Sequence, residues 1–340
     1  MIRMKSCHFN PENLAMFASI RPYLIAICLM FHMQVSAYAA IEESVVQLET
    51  ASGTLEGTLL VPEAKLGMPV VLLVAGSGPT DRNGNQPGLH HNALLLLAQG
   101  LAQYGIASLR YDKRGVGQSI SAATKEEDLR FEHYVADVRD WITWLGKDKR
   151  FGKVTVLGHS EGALLGMLAA QRSRVAQVVL IGSPGRAASE VLERQLAEQP
   201  AEIQTLALPV LRQLQQGKRV ATVNPALYAL FRPSVQPYLL SWFKYDPAKE
   251  IAKLKMPVLV LHGTTDIQVS AEDAALLEMA NPEATVIMME GMNHILKLSV
   301  PDRAQNWNTY NQPELPVMPE LLNLVARFIT QAGKLDNSSF

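Results

Sequence analysis

A serine between two glycines, in the pentapeptide Gly-His-Ser-Glu-Gly at residues 158–162, constrains the fold of this chain more than any other feature. The pentapeptide directly follows the apolar run 154–157 and directly precedes a run of small residues with helical spacing at 163–170. A serine on a sharp strand-to-helix turn holds its hydroxyl clear of the sheet, and the flanking glycines leave room where neighbouring backbones approach. The pattern therefore predicts that Ser160 is a nucleophile at the end of a buried strand.

The first 39 residues have the features of a secretory signal peptide. Arg3, Lys5 and Arg21 precede an apolar run at 23–31, and the Ala-Tyr-Ala sequence at 37–39 is typical of a signal-peptidase site. A membrane anchor is the alternative, but the apolar run is shorter than the roughly 20 residues that a spanning helix needs. We therefore expect a periplasmic or secreted protein with no membrane span in the mature chain.

Charge and cysteine content disfavour several classes of protein. Both cysteines, Cys7 and Cys28, fall within residues 1–39, so the mature chain would contain no disulfide. Removal of residues 1–39 leaves 28 Lys and Arg against 31 Asp and Glu, a net charge of −3. Because this balance provides no basic surface, nucleic acid is not an expected partner.

Beyond residue 40, the pattern predicts an α/β fold with a mostly parallel central sheet flanked by helices. Two strands joined near Gly53 precede a fully apolar strand at 69–75, and strands and helices then alternate. The other predicted elements are strands at 45–49, 54–61, 106–110, 154–157, 175–181, 258–261 and 285–289, and helices at 94–104, 131–145, 161–171, 271–280 and 319–331.

A long insertion interrupts this alternation. We divide the chain into a signal peptide (1–39), a first part of the core (40–185), a helical lid (186–245) and a second part of the core (246–340). Aromatic residues of the lid either form its own small core or line a binding pocket. They are Tyr228, Phe231, Tyr238, Trp242 and Phe243. The segment 299–316 is predicted to be a polar loop that places Trp307 and Tyr310 at the pocket rim.

A serine nucleophile needs a base, and the base needs an acid to orient it. On this type of sheet the chain order is serine, acid, histidine. Asp266 follows the predicted strand 258–261, and His294, the only histidine downstream of Asp266, follows the strand 285–289. Taken alone, each residue could be a helix cap, a turn former or a loop histidine. As a set at three strand ends they predict a catalytic triad of Ser160, Asp266 and His294.

Three other histidines have structural interpretations. His159 occupies the variable position of the pentapeptide, His262 would support the turn before Asp266, and His133 lies on a helix that flanks the sheet.

Acyl transfer also needs donors for the developing oxyanion, and backbone N–H groups can serve. The predicted donors are the N–H of Glu161 and that of Ser77, with Gly78 as the alternative to Ser77. The loop 76–79 also begins like a dinucleotide-binding turn, but the third glycine is missing. No phosphate-binding or zinc-protease motif is present in the sequence, so neither a metal nor an organic cofactor is predicted.

Together these motifs resemble the α/β-hydrolase superfamily over nearly all of the mature chain. The pentapeptide, Asp266 and His294 match the triad positions of that superfamily, and 110–119 is similar to its Asp-x-Arg-Gly-x-Gly-x-Ser segment, which the resemblance implies is a structural turn. The loop 76–84 with the pentapeptide resembles a bacterial esterase subgroup related to the prolyl-oligopeptidase and dienelactone-hydrolase branches. Relatives have a His-Gly pair in this loop where the present chain has Ala-Gly.

The resemblance implies a serine hydrolase that cleaves small-molecule carboxylic esters through an acyl-enzyme. One alternative is a peptidase or amidase with the same triad, in which Glu161, Asp81 or Arg82 would anchor a peptide terminus. A second alternative is a non-catalytic binding protein that keeps the fold, and an intact triad argues against it.

Overall fold

An eight-stranded sheet forms the centre of the molecule in the computed structural model, which describes residues 41–62, 66–123 and 125–333. The predicted signal peptide lies outside the described residues. The strands are β1 (Glu42–Thr50), β2 (Gly53–Val61), β3 (Met68–Val74), β4 (Ala107–Tyr111), β5 (Phe151–His159), β6 (Gln177–Ile181), β7 (Val258–Gly263) and β8 (Thr285–Met289). They are arranged in the order β1-β2-β4-β3-β5-β6-β7-β8. The pairs β1/β2 and β2/β4 are antiparallel and all others are parallel, which confirms the predicted mostly parallel sheet.

The helices that connect or cover the strands follow the predicted alternation closely. In the described ranges they are α1 (Ala93–Gln103), α2 (Phe131–Lys147), α3 (Glu161–Ala170), α4 (Ala188–Ala197), α5 (Ala201–Gln215), α6 (Tyr228–Phe231), α7 (Gln236–Trp242), α8 (Pro247–Ile251), α9 (Ala271–Ala280), α10 (Arg303–Asn308) and α11 (Pro319–Thr330). Within those ranges no helix is both long enough and apolar enough to cross a bilayer.

Strand β3 shows how the sheet is buried on both faces. Side chains 70, 72 and 74 belong to the apolar cluster that includes α2 and α3, whereas side chains 71 and 73 belong to the cluster that includes α1 and α11. Successive side chains of a strand point to opposite faces, so a strand covered on both faces is apolar throughout. This explains the uninterrupted apolar run in the sequence.

The strand order brings two loops side by side. β3 lies between β4 and β5, and Val74 near the end of β3 is in register with Gly158 near the end of β5. The loop after β3 and the turn after β5 therefore leave the same edge of the sheet. In open parallel sheets this kind of crevice is where ligands bind.

The segment between β6 and β7 contains α4 to α8, as the alternation of strands with a helical insertion predicted. That residues 186–245 act as a lid stays a prediction. The expectation that 299–316 is only a loop is wrong, because residues 303–308 form α10. The side chain of Asp302 accepts a hydrogen bond from the N–H of Gln305 and so caps this helix.

Candidate active site

Ser160 occupies the sharp turn between β5 and α3. Its backbone angles are φ 55° and ψ −122°, a region that non-glycine residues rarely adopt. Two backbone hydrogen bonds hold the turn: the N–H of Ser160 donates to the carbonyl of Ile181 at 3.0 Å, and the N–H of Ala163 donates to the carbonyl of Ser160 at 3.0 Å. Such strain persists only where the surrounding structure imposes it, and it is concentrated at functional sites.

The two glycines of the pentapeptide are required by close backbone contacts. A Cβ atom on Gly158 would lie 2.2 Å from the carbonyl oxygen of Gly162. A Cβ on Gly162 would lie 2.2 Å from the carbonyl oxygen of Val74 in β3. The turn therefore fits only if both positions lack a side chain, as the sequence pattern indicated.

Asp266 and His294 are joined by a hydrogen bond at the same edge of the sheet. Nδ1 of His294 lies 2.7 Å from Oδ2 of Asp266, and both side chains are buried. The other carboxylate oxygen of Asp266 accepts the N–H groups of Gln268 at 2.8 Å and Val269 at 3.0 Å. Burial alone would raise the pKa of Asp266, but the charge and hydrogen bond of His294 lower it below its ordinary value. An ionised Asp266 accepts the Nδ1–H of His294, which leaves Nε2 free to act as a base.

Ser160 reaches the same edge at the end of β5, which is separated from β7 by β6, and His159 in β5 is in register with Ile181 in β6. Gly182 follows β6, and a Cβ there would lie 3.3 Å from Nδ1 of His294. In the described part of the chain the Ser160 hydroxyl makes no hydrogen bond. The structure therefore joins the acid to the base and brings the serine to the same edge, without a hydrogen bond between Ser160 and His294. Catalytic hydrogen bonds often tighten only when substrate binds.

Two further histidines support this arrangement. The ring of His159 lies 4.8 Å from that of His294, and its Nε2 donates to the His294 carbonyl at 2.8 Å. Burial, followed by the charge of His294, lowers the pKa of His159 to about 3. Nε2 of His262 lies 3.0 Å from the carbonyl of Val269, within the loop that carries Asp266. Both rings hold the backbone that positions the acid and the base, and exposed His133 lies elsewhere on α2.

The predicted oxyanion donors border the same cavity as Ser160. Ser77, Gly78 and Glu161 all line it, and a Cβ on Gly76 would lie 3.2 Å from Cβ of Ser160. The carbonyl of Ser77 accepts the Thr80 hydroxyl at 2.7 Å and Nε2 of Gln86 at 3.1 Å, which fixes the loop. Within the described ranges neither the N–H of Ser77 nor that of Glu161 has an acceptor. Both groups are thus available to a ligand.

Lys113 is a site residue that the sequence did not single out. It lies just after β4, it is buried, and it lines the cavity although the segment 110–119 resembles a structural turn. Its ammonium donates to the carbonyl of Gly76 and lies 3.6 Å from Oε1 of Glu161. In the sequence, Lys113 is only a lysine within the turn motif 110–119. Its role becomes visible in the fold, where its ammonium contacts the loop after β3.

The cavity has a volume of about 700 Å³ and lies between the sheet edge and the inserted helices. Tyr238 and Trp242 line the cavity, whereas Phe231 is buried in the apolar core. Some aromatic residues of the segment 186–245 therefore line a pocket and others form a core. Trp307 and Tyr310 stack at 4.7 Å and do not line the cavity, contrary to the expected pocket rim. The side chains of His294 and Asp266 are buried, and neither residue lines the cavity.

The charged residues considered as anchors for a peptide terminus already have partners. Arg82 pairs with Glu56 at 2.8 Å and with Asp112 at 2.7 Å. The Asp81 carboxylate accepts the N–H groups of Asn83 and Asn85 within its own loop. The Glu161 carboxylate is buried next to Lys113. No group of three or more His, Cys, Asp or Glu in the described ranges could hold a metal ion.

Sequence comparison matches this chain to a family model and to an esterase. Residues 88–237 match the family model described as "Serine aminopeptidase, S33". The chain is 30% identical over 263 residues to esterase EstD of Thermotoga maritima, and the match covers 75% of this chain and 61% of that protein. The chain thus spans less than two thirds of the length of this relative.

Solved structures share the fold at low sequence identity. The α/β hydrolase GrgF from Penicillium sp. sh18 matches with a TM-score of 0.58 at 18% identity, covering 86% of this chain and 99% of that one. Est1E from Butyrivibrio proteoclasticus matches with a TM-score of 0.55 at 16% identity, covering 85% of this chain and 98% of that one. These likenesses confirm the predicted sheet-and-helix architecture.

Proposed function

We propose that this protein is a serine hydrolase of the α/β-hydrolase superfamily that cleaves carboxylic esters through an acyl-enzyme. The observation that carries the proposal is the 2.7 Å hydrogen bond between His294 and Asp266 at the sheet edge where Ser160 occupies its strained turn. The 30% identity to an esterase supports the same reaction class.

In the proposed mechanism, Oγ of Ser160 attacks the ester carbonyl while Nε2 of His294 takes the hydroxyl proton. Asp266 stabilises the imidazolium that forms, and His294 returns the proton to the departing alcohol. The N–H groups of Ser77 and Glu161 hold the oxyanion of the tetrahedral intermediate. A water molecule, activated by His294, then releases the acid from Ser160.

The proposed substrates are small esters with apolar acyl groups. The cavity beside Ser160 is lined by apolar side chains from both the core and the segment 186–245, which include Leu164, Val191, Leu192, Leu239 and Trp242. A pocket of about 700 Å³ has the size of ordinary small-molecule sites. We propose that the segment 186–245 acts as the lid that selects the acyl group.

A panel of nitrophenyl esters with increasing acyl length tests the activity, and a fluorophosphonate probe tests the nucleophile. Wild-type protein is expected to hydrolyse the esters and to be labelled at Ser160, and Ser160→Ala to lose both. Ser119→Ala is the matched control, because Ser119 is a buried serine that accepts the N–H of Glu56 at 2.9 Å and does not line the cavity. An unlabelled, inactive wild type would favour the non-catalytic binding protein.

A peptidase with the same triad is the second candidate, favoured by the family description that matches residues 88–237. Recognition of a peptide terminus needs a charged side chain free to pair with it, and Glu161, Asp81 and Arg82 are already engaged. This favours esters. Turnover of aminoacyl nitroanilides well above that of the matching esters would instead support the peptidase.

We also propose that residues 1–39 direct export and are removed. N-terminal sequencing of protein recovered from the periplasm or the medium is expected to begin at residue 40. An intact N-terminus in the cytoplasmic fraction would contradict this.

A further inference from the structure

In the loop after β3, the peptide group between Gly76 and Ser77 connects a contact of Lys113 with a proposed oxyanion donor. The carbonyl of Gly76 and the N–H of Ser77 belong to the same peptide unit, which is planar and trans, so they point in opposite directions. Nζ of Lys113 donates to the carbonyl of Gly76. The N–H of Ser77 therefore faces away from Lys113, and rotation of this peptide would break the bond to the ammonium.

The same ammonium reaches the second proposed donor through its side chain. Nζ of Lys113 lies 3.6 Å from Oε1 of Glu161, the residue whose backbone N–H completes the proposed oxyanion hole. The ammonium also lies over the face of the Tyr134 ring, with Nζ 5.3 Å from the ring centroid. The ammonium thus donates one hydrogen bond to the Gly76 carbonyl, while the Glu161 carboxylate and the Tyr134 ring attract its charge.

Both charged side chains are buried. The side chains of Lys113 and Glu161 are each 1% exposed, so neither charge is shared with bulk water. Burial lowers the pKa of Lys113, and the charge of Glu161 opposes that shift. A cation that donates to a carbonyl also polarises the peptide, which strengthens the N–H on its other side as a donor.

Resting on the proposed hydrolase function, we propose that Lys113 is a positioning residue of the oxyanion hole. It holds the Gly76–Ser77 peptide through the carbonyl and the start of α3 through the Glu161 carboxylate, so that one ammonium fixes both N–H donors relative to Ser160. Its effect is exerted on the transition state, where the oxyanion exists, and not on substrate binding.

The test compares Lys113→Met and the double variant Lys113→Met/Glu161→Gln with wild type. The double variant leaves no unpaired buried charge, so it remains informative if the single variant fails to fold. We expect kcat for a nitrophenyl ester to fall about 100-fold and KM to stay within about threefold, because the loss of one oxyanion donor typically costs 10²–10³ in kcat. Inhibition by a trifluoromethyl ketone, which forms an oxyanion on the serine, should weaken by the same factor.

The matched control is Arg110→Met. Arg110 is a buried cation on β4 that bonds to Asn83 and Glu43 and does not line the cavity, so its loss should alter stability but not the ketone affinity. A folded double variant with wild-type kcat and ketone affinity would overturn the proposal, as would a fall in kcat without a change in ketone affinity. Failure of the hydrolase function itself is distinguishable, because wild-type protein would then neither turn over esters nor label at Ser160.

Discussion

Asp266 accepts three hydrogen bonds, and one of them comes from Nδ1 of His294 at 2.7 Å. The other two come from backbone N–H groups of its own loop, so the carboxylate can turn neither away from the imidazole nor toward solvent. This geometry favours the His294 tautomer with its proton on Nδ1, which leaves a lone pair on Nε2.

Replacement of Asp266 by Asn is expected to lower kcat by about 10³–10⁴-fold, because an amide can donate to Nδ1 and so favour the wrong tautomer. The measurement is steady-state hydrolysis of a short nitrophenyl ester. Asp302→Asn is the control, since Asp302 also accepts a backbone N–H but caps α10 away from the cavity. Loss of activity of equal size in both variants would contradict the role of Asp266.

Replacement of Gly162 by Ala is expected to destabilise the fold by more than about 3 kcal/mol, because the new methyl group overlaps the carbonyl oxygen of Val74. Gly146→Ala is the control: a Cβ there meets nothing within 4 Å, and alanine in a helix is favoured by up to about 1 kcal/mol. Urea unfolding of both variants measures the difference. A stable Gly162→Ala protein would show that the turn relaxes more easily than the structure indicates.

The fold could be predicted from the sequence because the strands of its parallel part are short and mostly apolar runs that alternate with helices. The predicted limits of strand 285–289 and helix 271–280 agree with those in the structure. The triad candidates could be identified because each follows a predicted strand. Lys113 could not be found in this way, since its role depends on a carbonyl 37 positions earlier in the chain. Tyr310 was likewise misplaced, because its buried ring packs against His91, more than 200 positions earlier in the chain, as well as against nearby Trp307.

Replacement of Val191 by Trp is expected to shift selectivity toward short acyl groups. Val191 lies on α4 and lines the cavity, so a bulkier side chain removes volume without touching the proposed triad. The ratio of kcat/KM for a decanoate ester to that for an acetate ester should fall about tenfold or more. Leu206→Trp, on an exposed part of α5 in the same insertion, should leave the ratio unchanged. Equal ratios in all three proteins would argue against a role for the inserted helices in acyl selection.

Two buried histidines link the stability of this fold to pH. Burial is the main cause that lowers the pKa of His91 to about 4 and that of His159 to about 3, below the ordinary value of 6.5. Between pH 6.5 and 4 the unfolded chain binds protons at these residues and the folded chain does not. Each histidine therefore reduces the free energy of unfolding as the pH falls, by about 1.4 kcal/mol per pH unit.

His91→Asn should remove one of these two contributions. As the pH falls from 6.5, the free energy of unfolding of this variant is expected to decrease less than that of wild type. Near pH 4 the difference between the two proteins should have shifted by about 3 kcal/mol in favour of the variant. Taking the difference between the two proteins cancels other titrating groups such as Asp137, whose pKa burial raises to about 6. Urea unfolding at pH 7, 5.5 and 4.5 provides the measurement, with His90→Asn, an exposed neighbour, as the control. Parallel pH curves for wild type and His91→Asn would mean that folding does not lower the pKa of His91, despite its burial against Tyr310.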